Sequence, residues 1–170
     1  MKLLAVAALA AFVSWTSAWA APAAEQTAVG LWEQVDEKSG QPESWIKIVE
    51  KDGVFIGTIV KMFQKPGFPP VESWRCDKCE GSEKGQLVLG LALIKGMKRK
   101  GVDYEDGTIM DPRDGSVYRA LMKLSPDGKQ LEVRGYLGMA WLGRSQTWHR
   151  LPDNAMDPPK AAPPPKGPKK

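Results

Sequence analysis

The chain has 170 residues, a net charge of +4, one histidine and two cysteines. Its positive charge lies largely at the ends, since Lys2 precedes the first apolar run and residues 152–170 carry four lysines against two aspartates. Residues 21–151 are left near +1. This near neutrality argues against a basic nucleic-acid-binding surface, so we expect no nucleic-acid partner. The length of this segment suits one domain with its own core.

An export signal is predicted at the N-terminus. Lys2 is followed by the unbroken apolar run Leu3–Val13, and Ala18-Trp19-Ala20 supplies a small-residue cleavage site. We expect removal of residues 1–20, with cleavage after Ala23 as the alternative. A membrane anchor is the competing interpretation, but the run is shorter than the roughly 20 residues that a spanning helix needs. The mature protein is therefore expected in the periplasm or outside the cell.

A disordered tail is predicted at the C-terminus. Residues 152–170 contain seven of the 14 prolines and offer little apolar surface to offset the entropy of ordering. We expect an extended, polyproline-II-like segment. The segment either stays in solvent and keeps the domain soluble, or it contacts an anionic surface of the cell envelope.

Residues 21–151 are predicted to form a single all-β domain. Asp-Gly pairs at 52–53, 106–107, 114–115 and 127–128 are strong hairpin signals, because the turns that fit strand twist favour positive φ. Alternating apolar and polar residues between them predict about eight strands, near 30–36, 44–50, 54–63, 86–94, 102–110, 116–124, 130–137 and 140–150. The glycine-interrupted run Gln86–Lys95 also allows a short helix near 86–96. An up-and-down meander closes naturally, so we expect an antiparallel β-barrel rather than a sandwich.

Several stretches together resemble a known family. They are Gly30-Leu31-Trp32, "RCDKCEG" at 75–81, "GTIMDPRDGSVYRA" at 107–120 and "LEVRGYLGMAWLGRSQTWHRL" at 131–151. They resemble the bacterial secreted proteins grouped as domain of unknown function 2147, over about residues 29–151. The resemblance implies a lipocalin-like barrel whose interior can hold an apolar ligand. In such a barrel Trp32 would plug the closed end, with Arg144 or Arg150 over its indole as a cation–π partner.

Catalytic chemistry is not indicated by the sequence. His149 is the lone histidine, and strand alternation turns it to solvent if its neighbour Trp148 faces inward. The aspartates mostly precede or flank turn residues, which explains them without a catalytic or calcium-binding role. No nucleophile, phosphate-loop or zinc-protease motif is present. We therefore expect no enzyme activity, no metal and no cofactor.

The C-x-x-C pair of Cys76 and Cys79 has three interpretations. A thioredoxin-type dithiol belongs at a strand-to-helix junction, whereas Glu80-Gly81-Ser82 favours a loop here. Zinc needs four ligands, which only a dimer pairing two such loops would supply. The favoured interpretation is a structural disulfide that stiffens an exposed loop beside the barrel mouth.

The preferred functional hypothesis is binding of a small apolar or amphipathic molecule, such as a fatty acid or lipid, by a monomer or weak dimer. The candidate pocket residues, chosen largely from strand alternation, are Trp32, Trp45, Phe55, Ile59, Tyr104, Tyr118, Met122 and Trp141. The same side chains would also fill a solid barrel core. An envelope interaction module that uses the tail and the cysteine loop is an alternative, and a thiol redox protein is another.

Overall fold

A computed structural model describes residues 26–158 of the chain, and eight antiparallel strands close into a barrel in sequence order. The strands are β1 Gly30–Val35, β2 Pro42–Lys51, β3 Val54–Met62, β4 Ala92–Lys100, β5 Asp103–Met110, β6 Val117–Leu124, β7 Gln130–Tyr136 and β8 Arg144–Leu151. Strand β8 pairs with β1 and thereby closes the barrel. The predicted eight-stranded up-and-down barrel is confirmed.

Three of the four Asp-Gly pairs lie in the predicted turns, and one does not. The Asp52-Gly53 turn has positive φ at both residues and joins β2 to β3 tightly. Asp106-Gly107 instead lies inside β5, where the register shifts between Tyr104 and Gly107. A side chain at Gly107 would clash with Met97 of β4, so this glycine permits close strand approach at a bulge.

The fourth strand begins later than predicted. Residues 86–91 belong to the long β3–β4 connection, and β4 extends over Ala92–Lys100. The short helix allowed near 86–96 is not formed, because Val88 and Leu91 are buried against the barrel and the following residues pair with β3 and β5. The run Gln86–Lys95 lacks strand alternation because its first residues lie in a loop that covers the barrel and its last residues belong to β4.

The last strand also begins later than predicted. Ala140–Leu142 forms a single turn of 3-10 helix, and β8 starts at Arg144. A second turn of 3-10 helix covers Gly81–Glu83, and residues 26–158 contain no helix long and apolar enough to cross a bilayer.

The predictions for the two ends of the chain fall largely outside this structure. The export signal at 1–20 lies outside the described residues, as does most of the predicted tail. The first tail residues, 152–158, form turns held by Ala155 N–H to Pro152 O and Asp157 N–H to Asn154 O.

Candidate ligand-binding cavity

One end of the barrel is closed by a plug around Trp32. Its indole is fully buried and donates a hydrogen bond from Nε1 to the Ala28 carbonyl oxygen (2.8 Å). The Ala28 N–H in turn donates to the Tyr104 hydroxyl (2.7 Å). The segment before β1 is thereby drawn across the barrel end.

Arg150 of β8 completes this plug. Its guanidinium carbon lies 4.3 Å from the centroid of the Trp32 ring, and its nitrogens donate to the carbonyl oxygens of Thr27, Val29 and Gly128. Burial lowers the pKa of Arg150, and nearby Asp153 opposes this effect. Of the two arginines considered from the sequence, Arg150 is the cation–π partner.

The half of the barrel next to this plug, referred to as the lower half, is solidly packed. Phe55 and Tyr104 meet edge to face, with ring centroids 4.8 Å apart. Met122 and Trp148 are also buried. None of these side chains borders open space in the barrel.

A cavity of about 820 Å³ extends from the upper half of the barrel to the loops at its mouth. This volume lies within the range of pockets that hold drug-sized molecules, about 300–1,000 Å³. Inward-facing apolar side chains from five strands form its wall: Ile59, Met62, Leu93, Ile109, Tyr118 and Val133. The cavity thus has apolar side chains on its barrel wall, and polar and charged side chains, many of them at the loops, form a similar share of its surface.

The long β3–β4 connection, residues 63–91, partly covers this opening. Phe68 and Trp74 contact each other at a centroid distance of 5.5 Å, and both border the cavity. The connection is fixed to the barrel by backbone hydrogen bonds of Ile59 with Leu91 and Gly90. Aromatic side chains of a loop thus form one side of the mouth.

The two cysteines lie within this connection and form a disulfide, with their Cα atoms 5.3 Å apart. Both cysteine side chains are buried, although the loop around them is exposed as predicted, for example at Asp77, Lys78 and Glu80. Cys79 Sγ lies 3.5 Å from Met110 Sδ, and Cys76 Sγ lies 3.4 Å from the Pro112 carbonyl oxygen. The disulfide faces inward because its loop packs on the β5–β6 turn.

Two groups of ion pairs surround the mouth. Lys65 bridges Asp36 (3.0 Å) and Glu43 (2.9 Å), which ties the β3–β4 connection to the β1–β2 hairpin. The backbone N–H of Ser39 and the Lys65 ammonium donate to Asp36, and they hold the pKa of its carboxyl well below the ordinary value. Burial lowers the pKa of Lys65, but hydrogen bonds from it to Glu43 and Asp36 outweigh that effect and raise it.

The second ion pair lies in the β5–β6 turn. Arg113 contacts both carboxylate oxygens of Asp111. Burial raises the pKa of Asp111, but hydrogen bonds from Arg113 outweigh it, so the pKa is lowered overall. The Asp111 carboxylate correspondingly raises the pKa of Arg113. These pairs leave the cations at Lys65 and Arg113 already neutralised.

The structure places the predicted pocket residues at four kinds of position. Ile59 and Tyr118 line the cavity, whereas Trp32, Phe55, Tyr104 and Met122 belong to the packed lower half. Trp45 lies on the outer face of β2, where its Nε1 donates to Glu33 and Lys61 lies over its ring. Trp141 is 71% exposed in the β7–β8 connection. Alternation identifies the inward face of a strand but not the height of a residue along the barrel.

Three polar residues were missed by the sequence analysis, namely Gln34, Ser44 and Gln146. All three line the cavity, and they lie at inward positions of β1, β2 and β8. Gln34 comes two residues after Trp32, and Gln146 comes two residues before Trp148. A polar residue in register with a buried tryptophan is the signal that would have found the two glutamines, whereas Ser44 carries no such signal.

The rim carries an exposed apolar loop between β7 and β8. Leu137, Met139, Trp141 and Leu142 are each 62–71% exposed. Arg134 donates from its guanidinium to the carbonyl oxygens of Ala140, Trp141 and Gly143. The loop backbone is therefore held in place while its apolar side chains stay exposed, and Leu137 and Leu142 also border the cavity.

The lone histidine takes no part in the cavity. Trp148 is buried, and His149 is exposed on the outer face of β8, as alternation predicts. Its cross-strand partners are Gln130 and Glu33.

Comparison with known proteins agrees with this architecture. In the solved structures, the chain is similar to protein HP1028 from Helicobacter pylori, described as belonging to the lipocalin family, with a TM-score of 0.61 and 17% identity. That match covers 74% of this chain and 84% of the other. No curated protein matches the chain. The family described as uncharacterized protein conserved in bacteria (DUF2147) matches residues 30–150. The chain belongs to this family and has a lipocalin-like fold.

Proposed function

We propose that this protein is an exported, non-enzymatic β-barrel that binds a small hydrophobic or amphipathic molecule in the upper barrel. The cavity of about 820 Å³ above a packed lower half is the observation that carries this proposal. Strands β3 to β7 contribute aliphatic and aromatic side chains to its wall, so a bound apolar molecule would remove that surface from water. Each Å² of apolar surface buried in this way contributes about 25 cal/mol.

The predicted N-terminal signal and the disulfide support export. The predicted signal at residues 1–20 would direct the chain out of the cytoplasm, where a Cys76–Cys79 disulfide would persist. N-terminal sequencing of protein recovered from the periplasm tests this part. A mature chain that begins at Ala21 or Ala24 supports export, and a chain retained in the cytoplasm from Met1 contradicts it.

The binding test uses an uncharged phenylnaphthylamine dye, whose fluorescence rises when it enters an apolar site. We expect saturable binding to the full-length mature protein. Val133→Phe, in the cavity wall, is expected to weaken binding because the larger ring fills the space. Val117→Phe is the matched control, because Val117 is 54% exposed at the start of β6 and does not line the cavity. Failure of the dye to bind, together with no lipid in native mass spectra of the periplasmic protein, would contradict the proposal.

A second candidate function is contact with the cell envelope, favoured by the exposed β7–β8 loop. Outward-facing Trp, Leu and Met side chains on a fixed loop are typical of segments that enter a membrane interface. Co-sedimentation with anionic lipid vesicles tests it. We expect Trp141→Ser with Leu142→Ser to abolish binding if this loop makes the contact. Deletion of residues 152–170 would do so if the tail makes it. If the native protein and all variants sediment to the same extent whether vesicles are present or absent, neither the loop nor the tail makes a membrane contact.

A thiol redox function is the least supported of the predicted alternatives. Thiol–disulfide exchange requires an accessible sulfur atom, and both Cys76 and Cys79 are buried. Catalysis of insulin reduction by the native protein, lost in Cys76→Ala, would overturn this assignment.

A further inference from the structure

The floor of the cavity is polar, although its walls are apolar. Gln34 Nε2 donates to Gln146 Oε1 (2.8 Å), and Ser44 Oγ donates to Gln34 Oε1 (2.7 Å). Below this row lie the fully buried indoles of Trp32 and Trp148. These three polar side chains, the cavity floor, therefore separate the open half of the barrel from the packed half.

The direction of hydrogen bonding along this floor is fixed by Trp148. Its Nε1–H contacts Gln146 Oε1 at 3.4 Å, and an indole nitrogen can only donate. The carboxamide oxygen of Gln146 must therefore face Trp148, and Gln34 must present its amide nitrogen to the same oxygen. The Ser44 hydroxyl then donates to Oε1 of Gln34, the side-chain oxygen of that amide. The indole thus sets the orientation of both amides.

This orientation leaves N–H donors for the cavity. The Nε2 group of Gln146 has no hydrogen-bond partner among residues 26–158, and Gln146 lines the open space. Gln34 Nε2 uses one of its two N–H groups on Gln146, so a second remains. The acceptor oxygens of both amides, in contrast, already receive hydrogen bonds. A ligand that reaches the floor therefore meets free N–H donors on both amides, beside the remaining acceptor capacity of Gln34 Oε1 and Ser44 Oγ.

The floor also lacks a compensating cation. The side chains that form it are uncharged, and the basic groups among the described lining residues lie at the mouth. Lys65 and Arg113 are held there by acidic partners, and Lys38 and Arg144 are exposed at the rim. A carboxylate at the floor would lose its hydration without gaining an ion pair, which is costly.

We propose that the cavity floor recognises an uncharged carbonyl group, such as that of an amide, ester or ketone, at the inner end of an apolar ligand. The carbonyl oxygen would accept hydrogen bonds from Gln146 and Gln34, and the apolar chain would run past Tyr118 towards Phe68 and Trp74 at the mouth. This inference rests on the proposed function and adds to it a chemical class and a head-inward orientation.

The test compares three probes with the same alkyl chain: dodecanamide, dodecanoate and dodecylammonium. Each is titrated against the mature protein by displacement of the phenylnaphthylamine dye. We expect dodecanamide to bind at least about fivefold more tightly than either charged probe, which corresponds to one net hydrogen bond. Gln146→Met keeps the shape of the side chain but removes the donors, and it is expected to abolish this preference. Gln130→Met, on the exposed outer end of β7, is the matched control and should preserve it.

A second variant reverses the polarity of the floor. Gln146→Glu replaces donors with acceptors, so the preference is expected to shift from dodecanamide towards dodecylammonium. Dye binding in every variant reports that the cavity is intact. If the dye binds but the three probes do not differ, or if Gln146→Met keeps the amide preference, the floor assignment is overturned while ligand binding stands. If the dye does not bind to the native protein and native mass spectra show no lipid, the proposed function itself fails.

Discussion

The guanidinium of Arg150 lies against the indole of Trp32 and also donates to three backbone carbonyl oxygens at 2.5–2.8 Å. Gly30 leaves room for this arrangement, because a side chain there would clash with the guanidinium. One side chain thus joins the start of β1, the end of β8 and the β6–β7 turn. The Gly-x-Trp sequence at the first strand has its physical explanation in this contact.

We therefore expect Arg150→Met to lower the free energy of unfolding by about 2–4 kcal/mol, because several charge-assisted hydrogen bonds are lost at a partly buried site. Arg150→Lys should recover only part of this, since an ammonium lacks the planar fork. Urea unfolding measures both variants, with the exposed Lys123→Met as control. Equal stability of Arg150→Met and the control would contradict the plug.

Gly115→Ala is expected to loosen the cysteine loop from the barrel. Gly115 has a φ of +76°, and an added Cβ would overlap the backbone of Lys78. Gly101→Ala is a close control, because Gly101 has a φ of +67° but no neighbour within 4 Å of the added atom. Backbone strain should cost both variants about 1 kcal/mol. Only Gly115→Ala should also increase proteolysis within residues 75–87, and similar cleavage in the two variants would show that the loop does not depend on this contact.

Replacing both cysteines by alanine is expected to change global stability modestly. The four-residue ring closed by Cys76 and Cys79 restricts the unfolded chain less than a long loop does, giving at most about 2 kcal/mol. Hydrogen exchange should show the main loss of protection locally, at the amides of Cys76 and Gly85, which bond to Gln86 O and Cys76 O. A failure to fold would show instead that the disulfide is required for the barrel.

Acid is expected to destabilise the protein through its aspartates. The pKa values of Asp36, Asp111 and Asp127 are lowered from the ordinary 3.8 in the folded protein. Each therefore contributes stability above that value, and the contribution is lost as the pH falls through the lowered pKa. The urea midpoint should decline below about pH 4.

Asp36→Asn tests the contribution of one mouth carboxylate, because it removes a group that must be protonated in acid. It should reduce the midpoint at neutral pH and make the decline in acid shallower. Asp77→Asn is the control, because Asp77 is exposed and makes no hydrogen bond or ion pair with the described residues. Parallel pH profiles for Asp36→Asn and the native protein would refute the assignment.

The barrel could be predicted from the sequence because its signals are local. Asp-Gly turns and period-two alternation indicate strand count and antiparallel order, and alternation predicted that Trp148 and His149 face opposite ways. The start of β4 was misplaced because Val88 and Leu91 are buried by a covering loop rather than by a strand. Burial in a loop and burial in a sheet leave the same apolar pattern in the sequence.

The cavity could not be located in the same way. Phe55 and Ile59 both face inward from β3, but only Ile59 borders the open space, since packing changes with height along the barrel. The floor amides depend on cross-strand register between β1, β2 and β8, which joins residues far apart in the chain. The disulfide was recognised, but its inward orientation depends on the β5–β6 turn against which it packs.

The division of the barrel into a packed half and an open half gives stability and recognition to separate sets of residues. Trp32, Tyr104 and Trp148 hold the strands together below the floor, whereas Ile59, Tyr118 and Val133 shape the space above it. Substitutions above the floor therefore remove few of the contacts that keep the barrel closed. This barrel is consequently suited to redesign, because its upper wall can be altered for a new ligand while the lower half continues to specify the fold.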